Sequence, residues 1–327
     1  MSRRRRREGS ALRGFSVSFR HLARLTDDTG VMEHALGRIP RRGEGYTTDD
    51  NARALWACVE AIDACGGRGG PDAFRLFRLA DRYLAFLAWA QRPNGLFHNN
   101  FRYDRTPEAE TPSDDCFARA LWACAVACVR LADEDRAFAA ADMVRRALPR
   151  VPELAHPRGW AYALAACCLL LEDGWLRGAR SPWREREDEL YELIKRLEKR
   201  LISRFRECSA PGWAWFEPVM TYDNGVLPWA LFAAYRVTGS RGALDTVRAS
   251  LRKASRVRGR EISSTIGDPL HTRRVPLYLQ RADDGNRACA HPRCRAGDRP
   301  MNALHRERLR RRGRRVRSSY RVADAVW

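Results

Sequence analysis

Apolar residues along the middle of the chain recur at the spacing of one face of an α-helix, and runs that alternate apolar and polar residues are almost absent. The spacing predicts an all-α protein with helix following helix. The predicted helices cover residues 16–26, 50–64, 72–91, 115–131, 134–148, 158–171, 184–206, 224–237 and 241–255.

The predicted helices are of two kinds. One kind is rich in Ala, Leu, Cys and Trp with few charges, and a helix that is apolar nearly all round is buried. The other kind is charged with a single apolar stripe, which is typical of a surface helix. Their alternation predicts concentric rings in which each inner helix is paired with an outer one, as in an (α/α) toroid. The apolar segments are 52–62, 117–131, 159–171 and 225–237, and the amphipathic ones are 74–90, 184–205 and 241–254.

An internal repeat supports this arrangement. The sequence ARALWAC occurs at 52–58 and again at 118–124, and an Asp-Asp pair precedes each copy. A third segment at 222–235, YDNGVLPWALFAAY, keeps the acid and the apolar run that follows it. The 66-residue offset accommodates one inner helix, one outer helix and two loops, which predicts a stacked array of helical hairpins.

The net charge of +20 is confined to the two ends of the chain. Residues 1–24 carry +7 and residues 251–327 carry +14, which leaves −1 for the part between them. Because the globular part is neutral, the charge does not indicate a nucleic-acid partner. We expect an Arg-rich disordered N-terminus at 1–15, a toroid domain at 16–268 and an Arg-rich tail at 269–327. For the tail we favour translation in a shifted reading frame, then solvated disorder, and RNA binding least.

Targeting segments and metal sites are not expected. No apolar segment follows the N-terminal Arg run, and no apolar stretch reaches the ~18–20 residues that span a bilayer. The ten cysteines lack the spacing of a disulfide framework, and most lie in apolar helical runs. We therefore expect a cytoplasmic protein with no cofactor. Cys289, His291 and Cys294 are a candidate zinc group, but we expect no metal there because no second ligand pair accompanies them.

Three loops that lead into the apolar helices, at 41–51, 94–115 and 211–224, combine acidic with aromatic residues. If the inner helices share one direction, these loops gather at one mouth of the toroid. Aromatic rings stack on sugars, and a glycosidase needs two carboxyl groups, one with a raised pKa. The candidate catalytic acids are Asp50, Asp115, Glu217 and Asp223. The candidate substrate-binding residues are Tyr46, Asp49, Asp114, Trp213, Trp215 and Tyr222.

A structural role is the alternative for each of these residues. Asp is a favoured helix cap, so one Asp of each pair can be a cap. Arg53 and Arg119 follow Asp50 and Asp115 by three and four residues, a spacing that allows ion pairs on one helix face. Glu217 lies outside the predicted helices and is the acid that a structural role explains least. The aromatic residues of its loop are as well suited to fill the toroid as to bind a ligand.

Four segments carry a resemblance to a known family. They are LTDDTGVMEHA at 25–35, GYTTDDNARAL at 45–55, SDDCFARALWA at 113–123 and WFEPVMTYDNGVLPWAL at 215–231. They resemble a poorly characterised bacterial group of the six-hairpin glycosidase-like superfamily, often found beside or fused to nucleotide-sugar glycosyltransferases and mannoside phosphorylases. The resemblance covers about 20–268 and implies an (α/α)6 toroid that acts on carbohydrate. Family members continue with a Gln-Gln-Pro segment and a further hairpin that this chain lacks, so we expect the toroid to be incomplete at its C-terminus.

The prediction is a glycoside hydrolase-like domain that acts on an oligosaccharide by carboxylate acid/base catalysis. The second hypothesis is a non-catalytic glycan-binding or scaffolding partner of a glycosyltransferase, which the missing hairpin favours. A third is a terpene-type toroid, whose chemistry clusters three acids around magnesium, but neither Asp-Asp pair is followed by the third acid. We expect neither a membrane nor a nucleic acid as a partner.

Overall fold

The computed structural model describes residues 18–64 and 71–261, and these residues form an all-α protein. All the predicted helices are present, and most of their ends lie within three residues of the predicted ones. The helices are α1 (Arg20–Leu25), α2 (Thr48–Ala64), α3 (Pro71–Ala90), α4 (Asp114–Arg130), α5 (Glu134–Ala147), α6 (Pro157–Arg177), α7 (Glu187–Cys208), α8 (Val226–Thr238) and α9 (Arg241–Glu261). Four short strands accompany them: β1 (Ala35–Leu36), β2 (Ile39–Pro40), β3 (Tyr46–Thr47) and β4 (Asn100–Phe101). Single 3-10 turns lie at Arg42–Glu44, Leu148–Glu153, Gly178–Arg180 and Arg184–Arg186.

The chain divides into two compact units, and the boundary lies inside α6, between Ala166 and Cys167. No helix in the described ranges is long and apolar enough to cross a membrane. The N-terminal segment 1–15, the tail from 269 and the Cys289, His291 and Cys294 group lie outside the described residues. A single toroid domain over 16–268 stays a prediction.

Helix α6 continues to Arg177, well beyond the predicted end at residue 171, where acidic residues interrupt the apolar run. Both acids at that point are buried and have partners in the second unit. Glu172 Oε1 lies 3.1 Å from a guanidinium nitrogen of Arg236, and the Ser181 hydroxyl donates to Asp173 Oδ2 at 2.5 Å. Since these partners come from later in the chain, the local sequence pattern did not indicate that the helix continues.

In the first unit the two repeat copies pack against each other. Helix α2 packs on α3 and α4, and α4 packs on α5, so each of these two apolar helices contacts the helix that follows it in the chain. Equivalent residues of the repeat meet: the rings of Trp56 and Trp122 lie edge to face with centroids 5.5 Å apart. Leu55 and Leu121 are fully buried, and burying each such leucine stabilises the fold by roughly 1.5–3 kcal/mol. This pairing agrees with the hairpin array that the repeat predicts, while a closed toroid stays a prediction.

Cysteines of the apolar helices lie in the core, as their position in the sequence predicts. Cys58, Cys116, Cys124, Cys128, Cys167 and Cys168 are all buried. Burial raises the pKa of the Cys58 and Cys167 thiols to about 12, so these side chains stay protonated and behave as small apolar groups.

A small antiparallel sheet lies at the N-terminal end of α2, and the sequence pattern did not predict it. Tyr46 of β3 pairs with Phe101 of β4, and Met32 bridges to Tyr46 from the other side. All three side chains are buried, and the two aromatic rings contact Phe86 of α3. Each strand has only two residues, which is too short for an alternating pattern to show in the sequence.

The second unit is built on α7, α8 and α9, with α8 packed on both of the others. Helix α8 ends at Gly239, whose φ of +71° lets its N–H donate to the Tyr235 carbonyl at 2.9 Å. This left-handed cap turns the chain into α9. The loop between α7 and α8 carries the second group of candidate site residues. The buried stripe of α7 includes Leu190, Ile194, Leu197 and Leu201.

Candidate functional site

The two Asp-Asp pairs lie in the first turns of α2 and α4, and a chain of ion pairs joins them. Arg119 Nη1 lies 3.0 and 2.9 Å from the two carboxylate oxygens of Asp49, and Arg119 Nη2 lies 3.5 Å from Asp115. Arg53 lies 2.8 Å from Asp49 and 3.4 Å from Asp50. The ion pairs therefore form one series in the order Asp50, Arg53, Asp49, Arg119 and Asp115. Two of them, Arg53 with Asp50 and Arg119 with Asp115, are the ion pairs expected within each helix, and both are confirmed.

Asp49 lies at the centre of this series of ion pairs and contacts both arginines, while its predicted contact with substrate stays a prediction. Burial raises the pKa of its carboxyl group, against the opposing effect of Arg119 and Arg53. Burial lowers the pKa of Arg119, whose side chain is only 5% exposed. Asp49, Tyr162 and Asp115 raise this pKa by more, so the pKa of Arg119 is raised overall. Removing one partner from a buried pair leaves the other charge uncompensated, so Asp49 and Arg119 depend on each other.

Neither Asp-Asp pair caps its helix, contrary to the expectation that one Asp of each pair can be a cap. Thr47 precedes α2, and its hydroxyl oxygen accepts from the Asp50 N–H at 3.1 Å. The same hydroxyl donates to Asp50 Oδ2 at 2.8 Å. In α4 the Ser113 hydroxyl accepts from the Cys116 N–H at 3.3 Å. Since Thr and Ser supply the caps, Asp50 remains available for another role, and its side chain is 32% exposed.

Asp114, also predicted to bind substrate, is held by the backbone. One carboxylate oxygen accepts from the N–H groups of Ala155 and His156, at 2.6 and 2.8 Å. These residues lie in the turn just before α6. Gly159 lies so close that a Cβ there would be 2.9 Å from Asp114 Cβ. Asp114 therefore fixes the start of α6, and its predicted contact with substrate stays a prediction.

The N-terminus of α2 is anchored by residues of the 94–115 loop that the sequence did not indicate as site residues. The Asn99 carbonyl accepts from the Thr48 N–H at 2.9 Å, and its side-chain oxygen accepts from the Asp49 N–H at 3.1 Å. The Glu110 carboxylate in turn accepts from the N–H groups of Asn99 and Asn100, at 2.7 and 2.8 Å. These bonds satisfy helix N–H groups that would otherwise have no partner and fix the position of the Asp49–Asp50 turn.

Tyr46 is 1% exposed and is part of the core, so our prediction that it lines a sugar site is wrong for this position. Its hydroxyl donates to Asp27 Oδ2 at 2.6 Å. The other oxygen of Asp27 accepts from the N–H groups of Thr29 and Gly30. Burial, followed by the bond to Asp27, raises the pKa of Tyr46. The pair joins the 27–30 turn to strand β3.

Glu33 is an acid beside this sheet that the sequence did not indicate. Its N–H donates to the Gly45 carbonyl at 3.0 Å, next to the bridge between Met32 and Tyr46. Gly45 has a φ of +75°, and a Cβ there would lie 2.0 Å from the Phe101 carbonyl, so only glycine allows the strands to approach this closely. The side chain of Glu33 is 33% exposed, unlike that of its buried neighbour Met32.

The surroundings of Glu33 raise the pKa of its carboxyl group. Burial raises the pKa of its carboxyl group, and the carboxylates of Asp50, Glu44 and Glu108 raise it further, while His34 lowers it. Asp50 has different partners, since the Thr47 hydroxyl donates to its Oδ2 at 2.8 Å and Arg53 lies 3.4 Å from its Oδ1. Glu33 and Asp50 are thus two partly exposed carboxyl groups that interact electrostatically and have different partners.

In the second unit, a tight turn presents Trp213. Ala210 and Trp213 exchange two backbone hydrogen bonds of 2.8 Å around Gly212, whose φ is +79°. The indole N–H of Trp213 donates to the Glu217 carbonyl at 2.8 Å. The Lys253 ammonium donates to the Gly212 carbonyl at 2.9 Å and lies 4.6 Å from the centre of the half-buried Trp213 ring.

The remaining predicted residues of this loop differ in exposure. Trp215 is 1% exposed, with its ring edge-on to Phe216 at 5.6 Å, so it packs in the core and presents no surface to a ligand. Glu217 is half-buried. Tyr222 is 55% exposed, and Asp223 is exposed with a φ of +49°. Of the three predicted aromatic contacts in this loop, Trp213 and Tyr222 are accessible.

The structure therefore places the candidate residues in two sets. Asp50 and Asp115 belong to one ion-pair chain in the first unit, while Glu217 and Asp223 lie in the second unit. Convergence of all four acids at one mouth stays a prediction. No group of three or more His, Cys, Asp or Glu side chains in the described ranges is arranged to hold a metal ion.

No protein-family model matches this chain, and a comparison with curated proteins finds no match. The resemblance to six-hairpin glycosidase-like proteins thus rests on the four sequence segments alone.

Proposed function

We propose that the protein is a carbohydrate-active domain that hydrolyses a glycosidic bond with Glu33 as general acid and Asp50 as the charged carboxylate. The observation that carries the proposal is the electrostatic interaction of these two carboxyl groups, one with a raised pKa and one held by Arg53 and a threonine hydroxyl. Glycoside hydrolysis requires two carboxyl groups, one of which has a raised pKa and acts as the general acid.

In this mechanism Glu33 donates its proton to the glycosidic oxygen as the bond to the leaving group breaks. Asp50 either removes a proton from the attacking water or attacks the sugar carbon itself, depending on the stereochemical course. The Arg53–Asp49–Arg119 ion pairs fix the turn that carries Asp50. Asp115, at the other end of this series of ion pairs, contributes negative charge that stabilises an oxocarbenium-like transition state.

Features outside the acid pair also support carbohydrate as the substrate. The resemblance implies it, and the exposed Tyr222 and half-buried Trp213 supply aromatic surface in the second unit. We propose that this loop binds sugar and that Glu217 and Asp223 contact sugar hydroxyl groups. We further propose that the helical hairpins belong to an (α/α)6 toroid. The described cysteines are free thiols, which supports the cytoplasm as its compartment.

The test is hydrolysis of an oligosaccharide panel, mannosides first, by the full chain and by Glu33→Gln and Asp50→Asn. We expect each substitution to reduce turnover by about 10²-fold or more, because Gln and Asn cannot transfer a proton. The matched control is Glu108→Gln, which removes another carboxylate near Glu33 that is 45% exposed and faces Arg102. This control should keep more than half of the wild-type rate, and equal losses in all three variants would contradict the assignment.

The second candidate is a non-catalytic glycan-binding or scaffolding partner of a glycosyltransferase. One observation favours it: Asp49, Asp114 and Asp115 are engaged by arginine or by backbone N–H groups, as structural acids are. This candidate predicts oligosaccharide binding without turnover, and binding that is unchanged in Glu33→Gln and Asp50→Asn. Isothermal titration with the same panel distinguishes the two functions.

A further inference from the structure

Lys253 is a positioned cation beside an aromatic ring. Its ammonium is held by the Gly212 carbonyl and by the face of Trp213. Within the described residues it forms no ion pair with a carboxylate. Both contacts leave the positive charge uncompensated, because a carbonyl and a ring face carry no net charge. The side chain is half-buried, so the ammonium remains within reach of a ligand.

The surrounding loop is rigid enough to make this arrangement a site. The paired backbone bonds of Ala210 with Trp213 fix the turn, and the bond from the Trp213 indole N–H to the Glu217 carbonyl fixes the plane of the ring. A sugar that stacks on the accessible part of Trp213 therefore meets a cation at a defined place. Stacking binds the apolar face of a pyranose, whereas an ammonium pairs most strongly with an anionic group.

We propose that this loop binds an anionic sugar, with Trp213 stacking on the ring and Lys253 pairing with its carboxylate or phosphate group. The proposal rests on the carbohydrate function proposed above and names its substrate class. Glu217 and Asp223 place negative charge elsewhere in the loop, so a sugar with one acidic group is accepted beside Lys253, while a densely charged polyanion is repelled.

The experiment measures the affinity of the full chain for three probes by isothermal titration. They are a trisaccharide with one galacturonate residue and two neutral residues, its carboxyl-reduced neutral counterpart and mannose 6-phosphate. We expect the wild type to bind at least one anionic probe about tenfold more tightly than the neutral trisaccharide, the effect of one charge-assisted hydrogen bond. Comparing the affinities of the carboxylate probe and the phosphate probe shows which anion the site prefers. Raising the salt concentration should weaken binding of the anionic probe selectively.

Lys253→Met keeps much of the aliphatic stem and removes the charge, so the preference for the anionic probe should disappear while affinity for the neutral trisaccharide stays the same. Lys253→Arg keeps the charge and the stacking on Trp213 and should retain the preference. The matched control is Lys195→Met in α7, which removes another lysine that lies over an aromatic ring, 5.9 Å from the centre of Tyr191. It should bind all three probes as the wild type does.

A preference that survives in Lys253→Met, or that falls equally in Lys195→Met, overturns the proposal. Wild-type protein that binds the neutral and anionic probes equally overturns it too, and leaves the carbohydrate function standing. Wild-type protein that binds no sugar overturns both.

Discussion

The two copies of the repeated sequence begin alike and are used differently. Each has an Asp-Asp pair followed by ARALWAC, and in each a Thr or Ser caps the helix. In the first copy Asp49 contacts Arg119 of the other copy, whereas Asp115, its equivalent at the 66-residue offset, contacts Arg119 of its own helix. Asp114, the first Asp of the second pair, is equivalent to Thr48 at that offset and bonds to the backbone before α6. The two Asp-Asp pairs therefore join the repeats in one place and fix a turn in the other.

The arginines of the two copies differ in the same way. Arg53 is 29% exposed and pairs with acids of its own helix. Arg119 is buried and pairs with acids of both helices. An identical local sequence thus gives a surface ion pair in one copy and a core ion pair in the other, because neighbouring elements decide how much water reaches each side chain.

The largest effect expected from this difference is on stability. Arg119→Met should lower the free energy of unfolding by about 3–5 kcal/mol, because it removes the buried partner of the partly buried Asp49 and Asp115 carboxylates. The equivalent change Arg53→Met should cost about 1 kcal/mol or less, as partly exposed ion pairs do. Urea unfolding of the two variants beside the wild type measures both values, and equal losses would show that the copies are not differentiated.

The next effect concerns Asp114. Asp114→Ala removes the acceptor of two backbone N–H groups and should lower the free energy of unfolding by about 1–3 kcal/mol. Hydrogen exchange should accelerate at the N–H groups of Ala155 and His156, which lose their partner. The protection of α2 should not change. If exchange became faster in α2 and did not change at Ala155 and His156, Asp114 would stabilise the first copy instead.

A smaller effect is expected at the small sheet beside the N-terminal end of α2. Tyr46→Phe removes the hydroxyl that donates to Asp27 and should cost about 1 kcal/mol of stability. Because the ring is buried, the affinity for any oligosaccharide should not change. Tyr222→Phe is the exposed control and should leave stability unchanged within error. A large loss of sugar affinity in Tyr46→Phe would restore the role that the sequence predicted for this tyrosine.

The smallest effect is the pH dependence of stability that Glu33 confers. Its pKa is raised above the ordinary value of 4.5, so the folded state binds this proton more tightly than the unfolded state does. Stability due to this group is therefore greatest at low pH and decreases as the pH rises from 4.5 through the raised value. Glu33→Gln should make the midpoint of thermal unfolding depend less on pH between about pH 4 and pH 7. Glu108→Gln removes the smallest of the influences that raise the pKa of Glu33 and should change the dependence little.

Much of the fold could be predicted from the sequence, because helices of ten or more residues show their periodicity within a single segment. The helices, the repeat and the buried cysteines follow from local pattern. The sheet could not be predicted, since its two-residue strands are defined by partners as distant in sequence as Tyr46 and Phe101. The extension of α6 depends likewise on Ser181 and Arg236.

The candidate site was less predictable than the fold. Ion pairs within a helix, such as Arg53 with Asp50, follow from spacing. The contact of Arg119 with Asp49 joins two helices and has no local signal. Glu33 stands alone between Met32 and His34, and its position in the LTDDTGVMEHA segment was the one available indication. Aromatic residues near acids suggested a sugar site, but burial decides which rings are accessible, and burial of Trp215 depends on tertiary packing.

The most direct test of the central claim is the pH dependence of kcat/KM for the oligosaccharide that the full chain turns over fastest. If Glu33 is the general acid, the wild-type rate should decrease at high pH as that carboxyl group loses its proton. Glu33→Gln should abolish this dependence and reduce the rate by about 10²-fold or more. Glu217→Gln, which removes the acid that the sequence favoured, should keep the wild-type profile. The account would be contradicted if Glu217→Gln lost this pH dependence while Glu33→Gln kept it. It would also be contradicted if the wild type hydrolysed no glycoside.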